Sequence, residues 1–267
     1  MRKLELNEVQ DIIYGIFVEF DRVCRKHDIK YSMEGGTLLG AVKYKNFVPW
    51  DDDIDVIMLR SEYEKFLSVA PNELGEDYFL QSYNNVSEFP LNYAKLCYTG
   101  AQIYNYTYSH LTKMSHGIFM DIFPIDNVKP DVLRKHCSFV GVFTGARKIK
   151  LGVDLGKMPK VKRIIYKILS LLPMRFLIAR VDKNCTKYNK KATGYRYEVC
   201  NSNRKFKPLP TEIYDEFVEL RFRDGSFLAV KEYDAFLRSR FGDDYMTTLP
   251  AEDQRKPSHC ANIYMNE

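Results

Sequence analysis

PWDDDIDVIML, residues 49–59, decides how the rest of the chain is read. Four carboxylates fall within five positions, and the apolar, β-branched run behind them favours a buried strand. Alternate side chains of an extended segment share a face, so Asp51, Asp53 and Asp55 project together while Asp52 and Ile54 point the other way. Like charges held so close are unfavourable unless they are protonated or neutralised by a cation. Hard oxygen ligands at this spacing suit Mg²⁺, with Mn²⁺ able to take its place. An isolated acidic triplet is usually a solvated loop; the apolar strand that follows argues against that reading here.

Upstream, Val9, Ile12, Ile13, Ile16, Phe17, Phe20 and Val23 recur at helical spacing, which predicts a helix capped by Asn7 and running toward Lys26. A short strand over Lys30 to Met33 leads into EGGTLLGAV, Glu34 to Val42, which reads as strand, glycine turn and helix start. Gly35 and Gly36 before Thr37 let backbone amides approach a phosphate at a helix N-terminus. Downstream, Ser61 and Glu64 form a capping-box start for a helix to about Val69. Strands follow between Tyr78 and Tyr108, including Asn92 to Cys97 and Gln102 to Tyr106, and another spans Gly117 to Phe123, punctuated by Pro124. That last strand carries Asp121. Helical patterns dominate from Asp131 to Asn189, interrupted at Gly152 to Pro159 and at Pro173. Asp224-Gly225 marks a hairpin, and a last helix is expected from Lys231 to Phe241.

A small-residue turn, an intervening helix and paired strand carboxylates match the nucleotidyltransferase pattern. More specifically, EGGTLLGAVKYKNFVPWDDDIDV, Glu34 to Val56, resembles the signature of LicD-type phosphocholine transferases. GIFMDIFPID, Gly117 to Asp126, resembles the second motif of that family, and YDAFLRSRFGDDYMTTLP, Tyr233 to Pro250, with Arg255 and His259, resembles its C-terminal pattern. The same signature occurs in fukutin-related sugar-phosphate transferases, so the resemblance alone does not fix the substrate. It implies an α/β (α+β) fold, a nucleotidyltransferase-like mixed sheet flanked by helices with an inserted basic helical subdomain. It also implies transfer of phosphocholine from CDP-choline to a hydroxyl of a bacterial cell-surface glycan precursor, of teichoic acid or lipopolysaccharide type, with release of CMP. Mg²⁺ would be held by Asp53, Asp55 and Asp121, with Asp51 as an inner or outer ligand, and Asp121 would accept the proton of the attacking hydroxyl. Gly35, Gly36, Thr37, Lys43, Trp50, Lys95, Arg255 and His259 are the candidate substrate contacts, with Arg60 a further cation beside the motifs. Choline's quaternary ammonium calls for aromatic faces, for which Trp50, Tyr83, Tyr93, Tyr104 and Tyr106 are candidates.

The 267 residues, 45% apolar and 28% charged, suit one globular domain with a helical subdomain over 131–191. The six cysteines are dispersed and read as reduced thiols. No signal peptide and no membrane-spanning run is apparent, so a cytoplasmic protein is expected, peripheral at the inner face of the plasma membrane. Between Thr144 and Lys191 lie 14 Lys and Arg against two Asp, while the remainder is net acidic. Three alternatives follow: ribitol-phosphate transfer, nucleotidyl transfer on the same fold, and a non-catalytic nucleic-acid-binding protein using the basic block. The apolar stretch Ile164 to Ile178 and a carboxylate site left without purpose argue against nucleic acid. The partners expected instead are CDP-choline, a lipid-linked glycan and an anionic membrane.

Overall fold

The computed structural model describes residues 1–104, 106–201, 206–248 and 262–266. Arg255, His259 and Cys260 therefore lie outside the described residues. The first strand, β1 (Arg2–Lys3), precedes the long helix α1 (Leu6–Lys26), and β2 (Ser32–Met33) precedes α2 (Gly35–Lys43). The acidic segment feeds β3 (Asp55–Leu59), which passes directly into α3 (Arg60–Val69). Next come β4 (Tyr78–Gln81), β5 (Ala94–Tyr98), β6 (Ala101–Ile103) and β7 (Ile118–Asn127). Helices α4 (Leu133–Lys150), α5 (Lys160–Ser170) and α6 (Met174–Cys185) form the basic region. The chain returns through β8 (Tyr195–Tyr197) and β9 (Leu209–Pro210) to the hairpin β10 (Phe217–Phe222) and β11 (Gly225–Val230), then α7 (Tyr233–Phe241) and β12 (Ile263–Met265).

The main sheet is mixed, in the order β2-β3-β7-β5-β4, with β8 and β9 attached to the far end of β7. β3 and β7 run parallel; the other pairings are antiparallel. Ile118, Met120 and Ile122 of β7 share one face with Leu96 and Ala94 of β5 and are buried in the main core. Phe119 and Asp121 point to the other face. The apolar stripe of α1 is buried against this core, with Phe17 stacked on Phe227 at 4.0 Å and Phe20 against Phe66 at 4.9 Å. Each such burial contributes about 1.5–3 kcal/mol, so the helix is held by packing more than by its own propensity. α4 packs against both α5 and α6, and its Cys137, Val140 and Ala146 join the same continuous core.

Four local expectations are corrected. The first helix is capped by Glu5 and not Asn7, because the Glu8 carboxylate accepts the Glu5 amide at 2.9 Å and starts the helix two residues earlier. Ser61 caps nothing: Leu59 is still paired with Ile125, so strand passes into helix with no loop residue left to act as a cap. Pro124 does not end β7. Pairing with β5 stops at Ile122 and pairing with β8 starts at Asp126, so on that side no neighbour asks for the amide that proline lacks. The hairpin turns on Arg223-Asp224, since Phe222 faces Gly225; Arg223 takes φ +58°, held by its amide on the Lys45 carbonyl at 2.7 Å and its guanidinium on Asp11 at 2.6 Å.

Candidate active site

The acidic segment alternates as an extended chain must, even before regular pairing begins at Asp55: Asp52 and Ile54 are buried, while Asp51, Asp53 and Asp55 are partly open. Register then aligns the rest of the site. Asp55 lies directly opposite Asp121 across the parallel β3–β7 pair, and Asp121 lies opposite Lys95 across β7–β5. Paired residues share a face, so two carboxylates and an ammonium form one row across three strands. Lys95 Nζ is 2.5 Å from Asp121 Oδ1 and 3.1 Å from the Phe119 ring centre. Buried among ring and carboxylate, Lys95 neutralises Asp121 and fixes its orientation.

Helix α2 closes the near side. Gly35, at φ +53°, adopts a conformation that glycine permits at little cost, and a Cβ there would stand 3.8 Å from Asp55 Oδ2. A Cβ on Gly36 would overlap the Asp51 carboxylate. Gly36 thus makes room for the Asp51 carboxylate, and Gly35 supplies the backbone turn, beside a helix N-terminus whose dipole favours negative charge. The Thr37 hydroxyl accepts the Asp55 amide at 2.9 Å, tying helix to strand, so it positions Asp55 from inside the protein.

Burial, with Asp53 next, pushes Asp51 up to about 8. Burial raises Asp55 well above the carboxylate range, and Asp53, Asp121, Glu34 and Asp51 all act in the same direction. A second layer lies behind. Arg240 of α7 donates to Glu34 at 3.1 Å and to Glu198 at 2.6 Å, its side chain only 4% exposed. Burial still lifts Glu198 to about 8 and raises Glu34, although the guanidinium opposes both shifts.

These donors fit a hard divalent cation. Among the described residues no three Asp, Glu, His or Cys side chains converge into a preformed metal cage. Mg²⁺ does not require one, being commonly held by one or two carboxylates together with substrate phosphates and waters. What the site offers is a row of desolvated carboxylates whose mutual repulsion a cation relieves. A pH signature follows. The Asp51 carboxyl binds a proton in the fold up to about pH 8, whereas the unfolded chain releases it near 3.8. Stability contributed by that proton is complete below the lower value and lost as pH rises through the upper one. Mg²⁺ competes with the proton, so Mg²⁺ should raise Tm more at about pH 8 than at about pH 6, which differential scanning fluorimetry at the two pH values checks. Equal shifts at both would mean the cation binds elsewhere.

Beside the row lies a cavity of about 380 Å³ lined by Leu39, Val48, Trp50, Asp51, Phe241 and Tyr245, with Gly36 at its edge. Three aromatic rings and one carboxylate meet there. Lys43 holds the far wall, its Nζ 3.4 Å from the Tyr245 carbonyl and 3.2 Å from that of Thr248. A larger cavity, about 820 Å³, opens among α4 and α6, lined by Lys135, Arg180, Lys183 and other basic residues, and contains none of these carboxylates.

Of the expected aromatics, then, Trp50 lines a cavity at the row. Tyr93 also stands beside the row, packed on Phe123 at 4.4 Å with Lys95 Nζ 5.8 Å from its ring centre, whereas Tyr83 donates to Asp182 at 2.5 Å, Tyr104 bonds Gln102 at 3.0 Å, and Tyr106 meets His116 at 2.6 Å. Arg60 is committed to buried Asp126 through two bonds of 2.9 and 2.6 Å. Sequence reasoning overlooked Glu34, Glu198, Arg240, Phe241 and Tyr245. Glu34, Arg240, Phe241 and Tyr245 stand inside quoted motifs, and a charged residue just before two glycines was the available signal for Glu34; Glu198 offered none.

The family described as LicD/FKTN/FKRP, nucleotidyltransferase domain, matches residues 28–140, which contain the whole carboxylate row. The lipopolysaccharide cholinephosphotransferase LicD of Haemophilus influenzae is 31% identical, over 99% of this chain and 100% of that protein. Uncharacterised proteins of Rickettsia typhi and Rickettsia prowazekii are 34% and 32% identical over 59 residues, 22% of this chain and 19% and 22% of theirs. The chain belongs to the LicD family.

Proposed function

We propose that this LicD-family chain is a Mg²⁺-dependent transferase that moves phosphocholine from CDP-choline to a hydroxyl of a cell-surface glycan precursor and releases CMP. The observation that carries the reading is the aromatic cavity at the end of the carboxylate row: Trp50, Phe241 and Tyr245 with Asp51. A trimethylammonium group donates no hydrogen bond and is held by ring faces and a nearby negative charge. The full-length similarity to a protein named a cholinephosphotransferase supports the same donor.

Asp53, Asp55 and Asp121 would hold Mg²⁺, which when bound supplies charge neutralisation for the pyrophosphate. The chain's own residues do the positioning. The glycines at the start of α2 leave its amides open to a phosphate, and the aromatic cavity orients the choline end. The acceptor oxygen attacks the phosphorus that bears choline, the bond from that phosphorus to the bridging oxygen breaks, and CMP leaves with the electron pair. Asp121 takes the hydroxyl proton, steadied by Lys95. No protein nucleophile is required.

With Mg²⁺ present, CDP-choline should raise Tm, and CDP-ribitol or ATP should do so much less, since only the first fills the aromatic cavity. Trp50→Ala should weaken CDP-choline binding about fivefold to thirtyfold, the worth of ~1–2 kcal/mol of desolvated cation–ring attraction, while leaving CMP binding nearly unchanged. Isothermal titration of both ligands reads this directly. Equal weakening of CMP and CDP-choline would remove choline from that cavity.

A further inference from the structure

Helix α5 is amphipathic in the wrong sense for a helix that serves only to fill a core. Val161, Ile164, Ile165, Ile168 and Leu171 recur at i, i+3, i+4, i+7 and i+10, so they form one stripe. That stripe points outward: the five side chains are 69%, 56%, 43%, 62% and 82% exposed. The side turned to the protein carries Tyr166, the one buried residue of the helix, packed so closely on α4 that a Cβ at Gly145 would overlap its ring. Lys150 fixes the far end by donating to the Ser170 carbonyl at 3.0 Å. The outward stripe is therefore built into the packing. Solvated domains seldom show contiguous apolar faces of this kind without a partner.

We infer that α5 docks the protein on an anionic lipid surface. Lys160, Lys162, Arg163 and Lys167 are exposed on the same helix, which has no Asp or Glu. Apolar residues flanked by cations are the chemistry that enters a headgroup layer, with the stripe among acyl chains and the ammonium groups at the phosphates. Eleven residues are too few to cross a bilayer, and no helix among the described residues is long and apolar enough to do so, so α5 lies along the surface. Phe176, 44% exposed just after Pro173, extends the apolar edge into α6. A second copy is the competing occupant. A two-fold pairing of this stripe would set the cations of both copies against each other, whereas an anionic surface answers them. The inference stands on this helix alone and is independent of the donor proposed above.

The test is co-sedimentation of the full chain with vesicles of phosphatidylcholine alone and of phosphatidylcholine mixed with phosphatidylglycerol. Wild type should pellet with the anionic vesicles at low salt and be released as salt rises. The Ile164→Ser/Ile168→Ser variant should bind about tenfold more weakly, because buried apolar area sets interfacial affinity. Lys160→Gln/Lys167→Gln should lose the preference for anionic over neutral vesicles. All four side chains are exposed, so circular dichroism and Tm should match wild type. Failure of wild type to bind anionic vesicles, or unchanged binding by the isoleucine variant, overturns the inference. So does a wild-type dimer in sedimentation equilibrium that the isoleucine variant dissolves, since the stripe then belongs to a second copy.

Discussion

Replacing Asp55 by Asn should reduce turnover about 10³-fold while leaving the protein folded and, without metal, more stable near neutral pH. The catalytic part follows from the row: Asp55 stands opposite Asp121 at the start of β3, and the loss of one ligand charge at the pyrophosphate forfeits ~4 kcal/mol of transition-state stabilisation. The stability part follows from the cost already present. Burial and surrounding carboxylates hold Asp55 well above its ordinary range, so a neutral amide of the same shape removes a penalty. Asp121→Asn should also lose activity, by about 10²–10⁴-fold as a proton acceptor is removed, but without the gain in Tm, because Lys95 is left buried beside an amide. Steady-state kinetics at saturating Mg²⁺ together with thermal melts separate the two. An Asp55→Asn enzyme with near wild-type turnover would remove the row from catalysis.

Arg240→Leu should be the most destabilising single change in the second layer, by about 3–5 kcal/mol, a large part of the ~5–15 kcal/mol typical of a folded protein. Its guanidinium lies between Glu34 and Glu198 and against the rings of Phe206 and Phe236 at 4.6 and 4.9 Å, so its loss strands two carboxylates in the interior. The sign with pH is fixed by those carboxylates. With the guanidinium in place Glu198 is already raised to about 8 and Glu34 is raised as well; without it both rise further, so at low pH the variant keeps them protonated and the defect is small, and it grows as pH climbs beyond about 8. Urea midpoints for wild type and variant should therefore diverge as pH rises through about 8. Curves that stay parallel across pH would mean that the arginine acts by packing alone.

The part of the site written in one short stretch was legible. Period-two alternation places Asp51, Asp53 and Asp55 on the side away from Asp52 and Ile54, and the burial pattern follows it. Asp121 was found through a second motif, and the parallel register of β3 and β7 brings it opposite Asp55. The three helices between residues 133 and 185 were likewise readable from periodicity and breakers, whereas the mixed sheet was expected from the family resemblance. What escaped were contacts across long separations. Arg240 reaches Glu34 from 206 residues away, and no local pattern encodes that choice of partner. Capping was misread at Asn7 and Ser61 for a related reason: several polar residues compete at a helix start, and the winner depends on where the preceding strand ends. For Lys95, named among the candidate substrate contacts, the partner was equally hidden, since register sets it directly against Asp121. The apolar run in the basic block was visible as sequence, but that α5 turns it outward depends on Tyr166 packing at Gly145.

In the proposed reaction the row and its aromatic cavity transfer intact phosphocholine. This is tested most directly by incubating the protein with CDP-choline, Mg²⁺ and lipid-linked glycan precursors, and following nucleotide release and glycan mass together. CMP should be the released nucleotide, with one phosphocholine gained per glycan modified, and neither change should occur with Asp55→Asn. Release of CMP with no gain on any glycan, or efficient transfer from CDP-ribitol with none from CDP-choline, would contradict the proposed reaction.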